Sequence, residues 1–372
     1  MGCDDKHEGK AFRFVLICLL AGLLTAVLLI GKGSPVSGDS APDRSENAIY
    51  SKEQISSAQT DPPVEITVSA LGDCTLGYDY RYPVLGRFDT VIKSVNYDYG
   101  YCFSKVMPII SQDDLTIANL ETTLTRNNQR IAKGSGRAFW FRGDPAYVQI
   151  LKKGSVEAAF FANNHGYDYG YAGFKDTLNY LDQAGIIAFG YERKINTRIK
   201  GIDVALLGYN LVDSIENGVK VEGVKARIAQ DIRTVRENNG ADLVIVNCHW
   251  GIEGNRKAHW WQVAVAHGAI DSGADLVLGH HPHVIQGVEI YQGKMIVYSL
   301  GNFCFGGNSN PSDKDTFIFQ QTFPFDGGGQ CTDFSRAQVI PCLVSSSISR
   351  NNYCPAPADE NSAARIHSRT GY

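Results

Sequence analysis

Residues 275–283 read Asp-Leu-Val-Leu-Gly-His-His-Pro-His. Asp275 to Leu278 is a short apolar run stopped by a glycine, the pattern of a buried strand. It ends in imidazoles, which when neutral suit zinc, manganese, iron or nickel. Pro282 stiffens the segment. His281 and His283, with one residue between them, can approach a common centre from an extended loop.

The same habit recurs along the chain. Val64, Ile66, Val68 and Ala70 alternate, and the run breaks at Gly72-Asp73. Asp114 to Asn119 ends in Asn119-Leu120-Glu121. Glu157 to Ala162 ends in Asn163-Asn164-His165. Leu243 to Val246 runs into Asn247-Cys248-His249-Trp250, and Met295 to Ser299 into Leu300-Gly301-Asn302-Phe303. Ile202 to Gly208 is a further strand. Thr316 to Thr322 and Ala337 to Val344 read as a late antiparallel pair joined through Gly327–Gly329. Between them lie helical periods: a broken one over Asp89 to Ile110, then Gly173 to Ala184, Val224 to Asn238 and Lys257 to Ser272. Strand alternating with helix predicts an α/β fold with a mainly central sheet. Open sheets of that kind bind ligands at the carboxyl ends of their strands, where these polar residues sit.

Five of the nine histidines fall in the strand-end motifs. Asp73, Glu121, Asn164 and His249 would add oxygen and nitrogen donors to His281 and His283. Mixed N/O ligands without obligatory thiolates point to one or two exchangeable divalent transition ions (Mn, Zn or Fe), not to a closed structural site. Two ions about 3.5–4 Å apart would clamp a phosphate ester and acidify a water between them. His165, outside the ligand set, is placed to protonate a leaving oxygen. Asn119, His280 and Asn302 read as supports behind the ligands, with His280 equally readable as a ligand and Asn302 as a turn residue. His259 and His267 lie on a helical stretch and read as surface or core residues.

Phe14 to Ile30 carries no charge. At about 1.5 Å per residue it crosses a hydrocarbon core of about 30 Å once flanking residues are included. Lys6, Lys10 and Arg13 precede it, which puts 1–13 in the cytoplasm and the rest outside the cell. The expected organisation is therefore a cytoplasmic N-terminus (1–13), a transmembrane anchor (14–31) in contact with membrane lipid, a flexible Ser-, Pro- and Gly-rich tether (32–63) and an extracytoplasmic domain (64–372). A cleaved signal peptide is the alternative, but its apolar core is normally shorter.

The chain has 372 residues, 20 % of them charged, and a net charge of −4. Mild acidity argues against nucleic acid, whose binding proteins neutralise phosphates with basic faces. Nine cysteines include Cys331, Cys342 and Cys354, candidates for disulfides outside the cell; most others read as small buried hydrophobes. No G-x-S-x-G elbow is present, and a nucleophilic Cys74 or Cys248 would need a lowered pKa. Tyr78, Tyr80, Tyr82, Tyr97, Tyr99 and Tyr101 read as packing for loops. Lys133, Arg137 and Arg142 flank Phe139-Trp140-Phe141 and read as a solvated loop.

The ordered series Gly72-Asp73, Asn119-Leu120-Glu121, Asn163-Asn164-His165, His249-Trp250-Gly251, Gly279-His280-His281-Pro282-His283 and Tyr298-Ser299-Leu300-Gly301-Asn302-Phe303 resembles the bacterial capsule-synthesis family of CapA/PgsA type. That family is associated with poly-γ-glutamate capsule assembly and is similar to calcineurin-like metallophosphoesterases. The resemblance implies a metallophosphoesterase-like α-β-β-α sandwich of two sheets flanked by helices. It matches Asp73 to the first-motif metal Asp, and sets Glu121 where related phosphoesterases carry a bridging Asp. It matches Asn164 to the metal Asn, His165 to the leaving-group acid, and His249, His281 and His283 to the later metal histidines. One departure stands out: those enzymes have Asp-x-His at the first motif, and here the third position is Thr75.

Two functions follow as expectations. The first is a membrane-anchored, metal-dependent hydrolase of phosphoesterase type in capsule or related anionic polymer biosynthesis. The second is a non-catalytic subunit that binds the emerging polymer or the membrane-embedded synthase and assists export; the absent first-motif histidine favours it.

Overall fold

Through the computed structural model, which describes residues 63–82, 87–134, 138–212 and 220–372, runs a 12-residue strand, β1 (Val64–Thr75). The other strands follow in chain order: β2 (Tyr78–Asp79), β3 (Leu115–Leu120), β4 (Thr123–Leu124), β5 (Phe141–Gly143), β6 (Ala158–Phe160), β7 (Ile187–Phe189), β8 (Ile195–Ile199), β9 (Ile202–Asn210), β10 (Leu243–His249), β11 (Leu276–His280), β12 (Val288–Tyr291), β13 (Lys294–Val297), β14 (Asn302–Phe305), β15 (Asp315–Phe325), β16 (Ala337–Leu343) and β17 (Ala356–Pro357). They form two large sheets and a small one. The first runs β17-β16-β15-β1-β3-β6-β7, with β14 also paired to β1; the second runs β12-β13-β11-β10-β9-β8; β2, β5 and β4 make the third.

The alternation of strand and helix predicted a mainly central sheet; the structure has two large sheets, as the family resemblance implied. Each sheet holds its own parallel core: β1, β3, β6 and β7 in one, and β9, β10, β11 and β13 in the other. A strand–helix pattern does not say which strands pair, so it reads the same whether the strands form one sheet or two. The late pair β15 and β16 is antiparallel as expected and extends the first sheet beyond β1.

Side-chain alternation explains the layers. Along β9, Val204 and Leu206 enter a core shared with Ile66, Val68 and Ala70 of β1, while Ala205 and Leu207 enter another shared with Ile228, Ile232 and Val265. The first core therefore lies between the sheets. The second lies under the helices Val221–Glu237 and Trp260–Asp271. A third core joins Leu71, Cys74 and Ala118 to Phe88, Ile92, Phe174 and Leu181, under the helices Arg87–Ser94 and Gly170–Ala184. Strands buried on both faces need continuous apolar runs, which β10 shows: all its residues are buried. The result is helix, sheet, sheet, helix. A C-terminal helix, Glu360–Thr370, is capped by Asp359, whose Oδ1 accepts from Ser362 N at 3.0 Å. No apolar period announced it.

The expected N-terminal segment, anchor 14–31 and all but the last residue of the tether lie outside the described residues. Among the described residues no helix is long and apolar enough to cross a membrane. The expected disulfides are not formed: all seven described cysteines are free. Cys342 is buried in the core under the first sheet, Cys354 faces Ser104 Oγ at 3.6 Å, and Cys331 donates to Asp333 O.

Candidate metal centre

The parallel strands deliver their ends to one place. At the end of β1 the register slips between Leu71 and Asp73, a local bulge that re-aims the next side chain. Gly72 permits it, because a Cβ there would lie 2.1 Å from Gly301 O. Asp73 N donates to that same carbonyl at 2.8 Å. Asp73 then stands beside Asn119 on β3 and Asn302 on β14. In the other sheet His249 of β10 lies beside His280 of β11.

Asp73, Glu121, His249 and His281 are buried, while His283 and Asn164 are half-buried. Asp73 Oδ1 accepts from Asn119 Nδ2 at 2.8 Å, and Asp73 Oδ2 lies 3.2 Å from His283 Nδ1. His249 Nε2 is 2.9 Å from Asn164 Oδ1. Asn302 Oδ1 is 2.9 Å from His283 Nδ1, and its Nδ2 donates to His283 O. The turn itself is strained: φ is +98° at His281 and +57° at His283, a region side chains other than glycine rarely adopt. Such strain clusters where function holds it.

Glu121 decides what the site is built for. Both of its carboxylate oxygens are buried with no hydrogen-bond partner among the described residues. Around Oε1 stand His249 Nε2 at 3.6 Å, His283 Nε2 at 3.7 Å and His165 Nε2 at 3.8 Å. These gaps are too long for hydrogen bonds. They are close to the spacing of donors sharing one ion at bonds of about 2.1 Å, which is about 3.4 Å for tetrahedral geometry. Three sets of donors lie within 4.8 Å of one another: Glu121, His249 and His281; Asp73, Glu121 and His283; and Glu253, His281 and His283. A buried carboxylate left without hydrogen bonds costs free energy unless a cation meets it, so the donor set fits a divalent ion.

The electrostatics agree. Burial alone would raise the Asp73 carboxyl, but His280 and His283 beside it hold it well below the ordinary range. Burial drives Glu121 well above it; His283 eases this, and Asp73 and Glu253 add to it. Burial and His281 push His249 well down, and burial and His283 push His281 down to about 3. His283 goes the other way: burial opposes its charge, but Glu121 and Asp73 outweigh that and raise it to about 10. Two imidazoles are thus neutral and ready to ligate.

His165 is oriented separately. Its Nδ1 lies 2.7 Å from Asp168 Oδ2, its ring packs on Phe141, and Lys133 forms an ion pair with the other oxygen of Asp168. Burial lowers its pKa, against the pull of Asp168. Asn163 ties the loop down, donating to Asn119 Oδ1 at 3.1 Å and Leu120 O at 2.9 Å.

The expected ligands, His165 and the three expected supports all lie in or against this hollow, with differences in detail. His280 packs on Phe160 and points Nδ1 at Asp73 Oδ1, 3.4 Å away; it is absent from the three donor sets and stands as a support. Lys133, read as part of a solvated loop, reaches the His165 pair. Arg142 stacks on Tyr80, and Arg137 lies outside the described residues. Glu253, Asp168 and Asn163 were missed as individual residues. Asp168 follows His165 by three positions and Glu253 follows His249 by four, the only signal each offered. Burial raises the thiols of Cys74, to about 12, and Cys248, so neither is an activated nucleophile.

The family described as bacterial capsule synthesis protein PGA_cap matches residues 38–307. The chain belongs to this bacterial capsule-synthesis family. The match takes in β1 to β14 and every residue of the hollow. Among relatives, the PGA biosynthesis protein CapA of Bacillus subtilis is 30 % identical over 272 residues, covering 70 % of this chain and 68 % of that protein. The capsule biosynthesis protein CapA of Bacillus anthracis is 28 % identical over 258 residues, covering 65 % of this chain and 60 % of that one. The chain thus spans about 60 to 70 % of the length of these relatives. A solved 5'-nucleotidase from Candida albicans overlays 76 % of this chain and 51 % of its own, at 14 % identity and a TM-score of 0.39; at that score nothing about site or activity follows.

Proposed function

We propose that this capsule-family member is a metal-dependent hydrolase of phosphoesterase type. It acts outside the cell on the assembly of poly-γ-glutamate or a related anionic envelope polymer, held to the membrane by residues 14–31 through the tether 32–63. The domain 64–372 then works beside membrane-embedded synthase subunits. The observation that carries the reading is Glu121: a buried carboxylate with no hydrogen-bond partner among the described residues, ringed by three imidazole nitrogens at 3.6, 3.7 and 3.8 Å.

Asp73, Glu121, Asn164, His249, His281 and His283 would hold one or two divalent ions. Such ions polarise a phosphoryl oxygen and acidify water. The protein's own contribution is position and protons. Asn119 and Asn302 fix Asp73 and His283. His165, turned by Asp168, presents Nε2 to the hollow as a proton donor to a departing oxygen. Burial keeps it neutral in the free protein; an arriving phosphate brings negative charge that favours its protonation. A cavity of about 690 Å³, lined by Lys133, Asn164, Tyr167, Glu253 and His281 among others, adjoins the site and gives a substrate room.

A second reading is a non-catalytic polymer-binding or export subunit. Thr75 favours it, standing where phosphoesterases carry a histidine and giving its hydroxyl to Glu121 O at 3.1 Å. Full-length protein in detergent, stripped by chelator and reloaded with Mn²⁺, separates the two when assayed on a chromogenic phosphodiester. Metal-dependent turnover lost in His165→Asn supports the hydrolase. Bound metal, retained polymer binding and no turnover select the second reading.

A further inference from the structure

Glu253 lies on the loop after β10, is exposed at the cavity mouth, and has no part in the sequence-derived ligand set. Its carboxylate nevertheless comes within 4.8 Å of the donor nitrogens of His281 and His283. The approach is built, not incidental. Trp250 N donates to His280 O at 3.0 Å, and Gly254 N donates to Pro282 O at 2.8 Å, so the loop is stitched to the His280–His283 turn on both sides of Glu253. Gln286 Nε2 donates to Asn255 O at 2.7 Å and holds the loop's far end. Gly251 and Gly254, at φ +89° and +75°, give the loop its shape.

A further observation points to a cation. His281 Nδ1 is buried and has no hydrogen-bond partner among the described residues, in a residue 5 % exposed. On the β1 side, Thr75 stands where the phosphoesterase pattern has a histidine, and its hydroxyl donates to Glu121 O at 3.1 Å. We propose that Glu253 supplies a carboxylate ligand to an outer cation position formed with His281 and His283. The inner position, made by Glu121 and His249 with buried neighbours, is closed; the outer one opens to the cavity through a solvent-exposed side chain. The outer ion is therefore the weaker and more exchangeable of the two, and the one nearest an incoming anionic substrate. This rests on the metal reading above.

The test is metal titration of the full-length protein in detergent with Mn²⁺, read by calorimetry, by metal analysis after gel filtration and by electron paramagnetic resonance. The unmodified protein is expected to take two equivalents of unequal affinity and to show an exchange-coupled Mn pair. Glu253→Gln is expected to keep the tight equivalent, weaken the second at least about tenfold and lose the coupled signal, while Glu253→Asp partly restores it. Glu121→Gln is expected to weaken the tight equivalent instead. Two equivalents bound equally well by Glu253→Gln, or a single equivalent in the unmodified protein, would overturn the role of Glu253 and leave the inner site standing. No bound metal in the unmodified protein would overturn both.

Discussion

The hydroxyl of Thr75 donates to the backbone carbonyl of Glu121 at 3.1 Å, joining the end of β1 to the residue after β3. Both residues are fully buried. The bond fixes the backbone from which the buried Glu121 carboxylate projects. Thr75 is thus a strut for the site where the phosphoesterase pattern would have a ligand.

Restoring a histidine there is therefore expected to harm, not repair. Thr75→His overfills a packed site and breaks the strut, lowering stability by about 1–3 kcal/mol. Thr75→Val keeps the shape and loses the bond, at about 1 kcal/mol. Chemical denaturation ranks the two; a Thr75→His variant as stable as the parent and tighter for metal would refute the strut.

Gly72 makes a sharper case. A methyl there meets Gly301 O at 2.1 Å, and backbone must move. Gly72→Ala should cost about 3 kcal/mol or more and take metal binding with it, because Asp73 follows directly. Thermal unfolding unchanged from the parent would show that β1 and β14 separate easily.

Asp168 orients His165. With an amide in its place, Nδ1 of His165 loses its carboxylate acceptor while the fold keeps its packing. If His165 moves a proton, Asp168→Asn lowers kcat on a phosphodiester about 100-fold with KM little changed, and shifts the pH profile. A rise in KM alone would make Asp168 a binding residue instead.

Away from the site, Asp113 gives a pH dependence with a definite sign. Burial raises its pKa from 3.8 to about 6, against hydrogen bonds from Ser69 and Thr116. The folded state therefore holds this proton more tightly than the unfolded chain. Its penalty is absent below about pH 4, grows as pH rises, and is complete above about pH 6. Asp113→Asn is expected to raise Tm by about 2–4 °C at pH 8 and leave it unchanged at pH 4. Equal shifts at both pH values would refute the assignment.

Much of this was legible in the chain. The parallel strands β3, β6, β10 and β11 are apolar runs that lead into polar residues, and burial on both faces favours such runs. The histidines at 249, 281 and 283 and the acids at 73 and 121 could be read because they follow such runs directly. Partition into two sheets came from the family resemblance and not from the strand–helix pattern, since pairing depends on contacts far apart in sequence. Glu253 was hidden because it sits in a loop with no apolar period, and its position comes from the Gly254–Pro282 bond. The disulfide reading failed because location permits a bond but does not bring sulfurs together. The Glu360–Thr370 helix was hidden by its composition: only Ser362, Ile366 and Thr370 are buried, so packing at every fourth residue leaves a polar sequence.

The convergence of distant segments on one cation-binding hollow is tested most directly by anomalous diffraction from crystals grown with Mn²⁺. A peak is expected at about 2.0–2.3 Å from the Glu121 carboxylate and the imidazoles of His249, His281 or His283. A well-occupied ion bound elsewhere, with Glu121 still unpaired in an ion-free hollow, would contradict it.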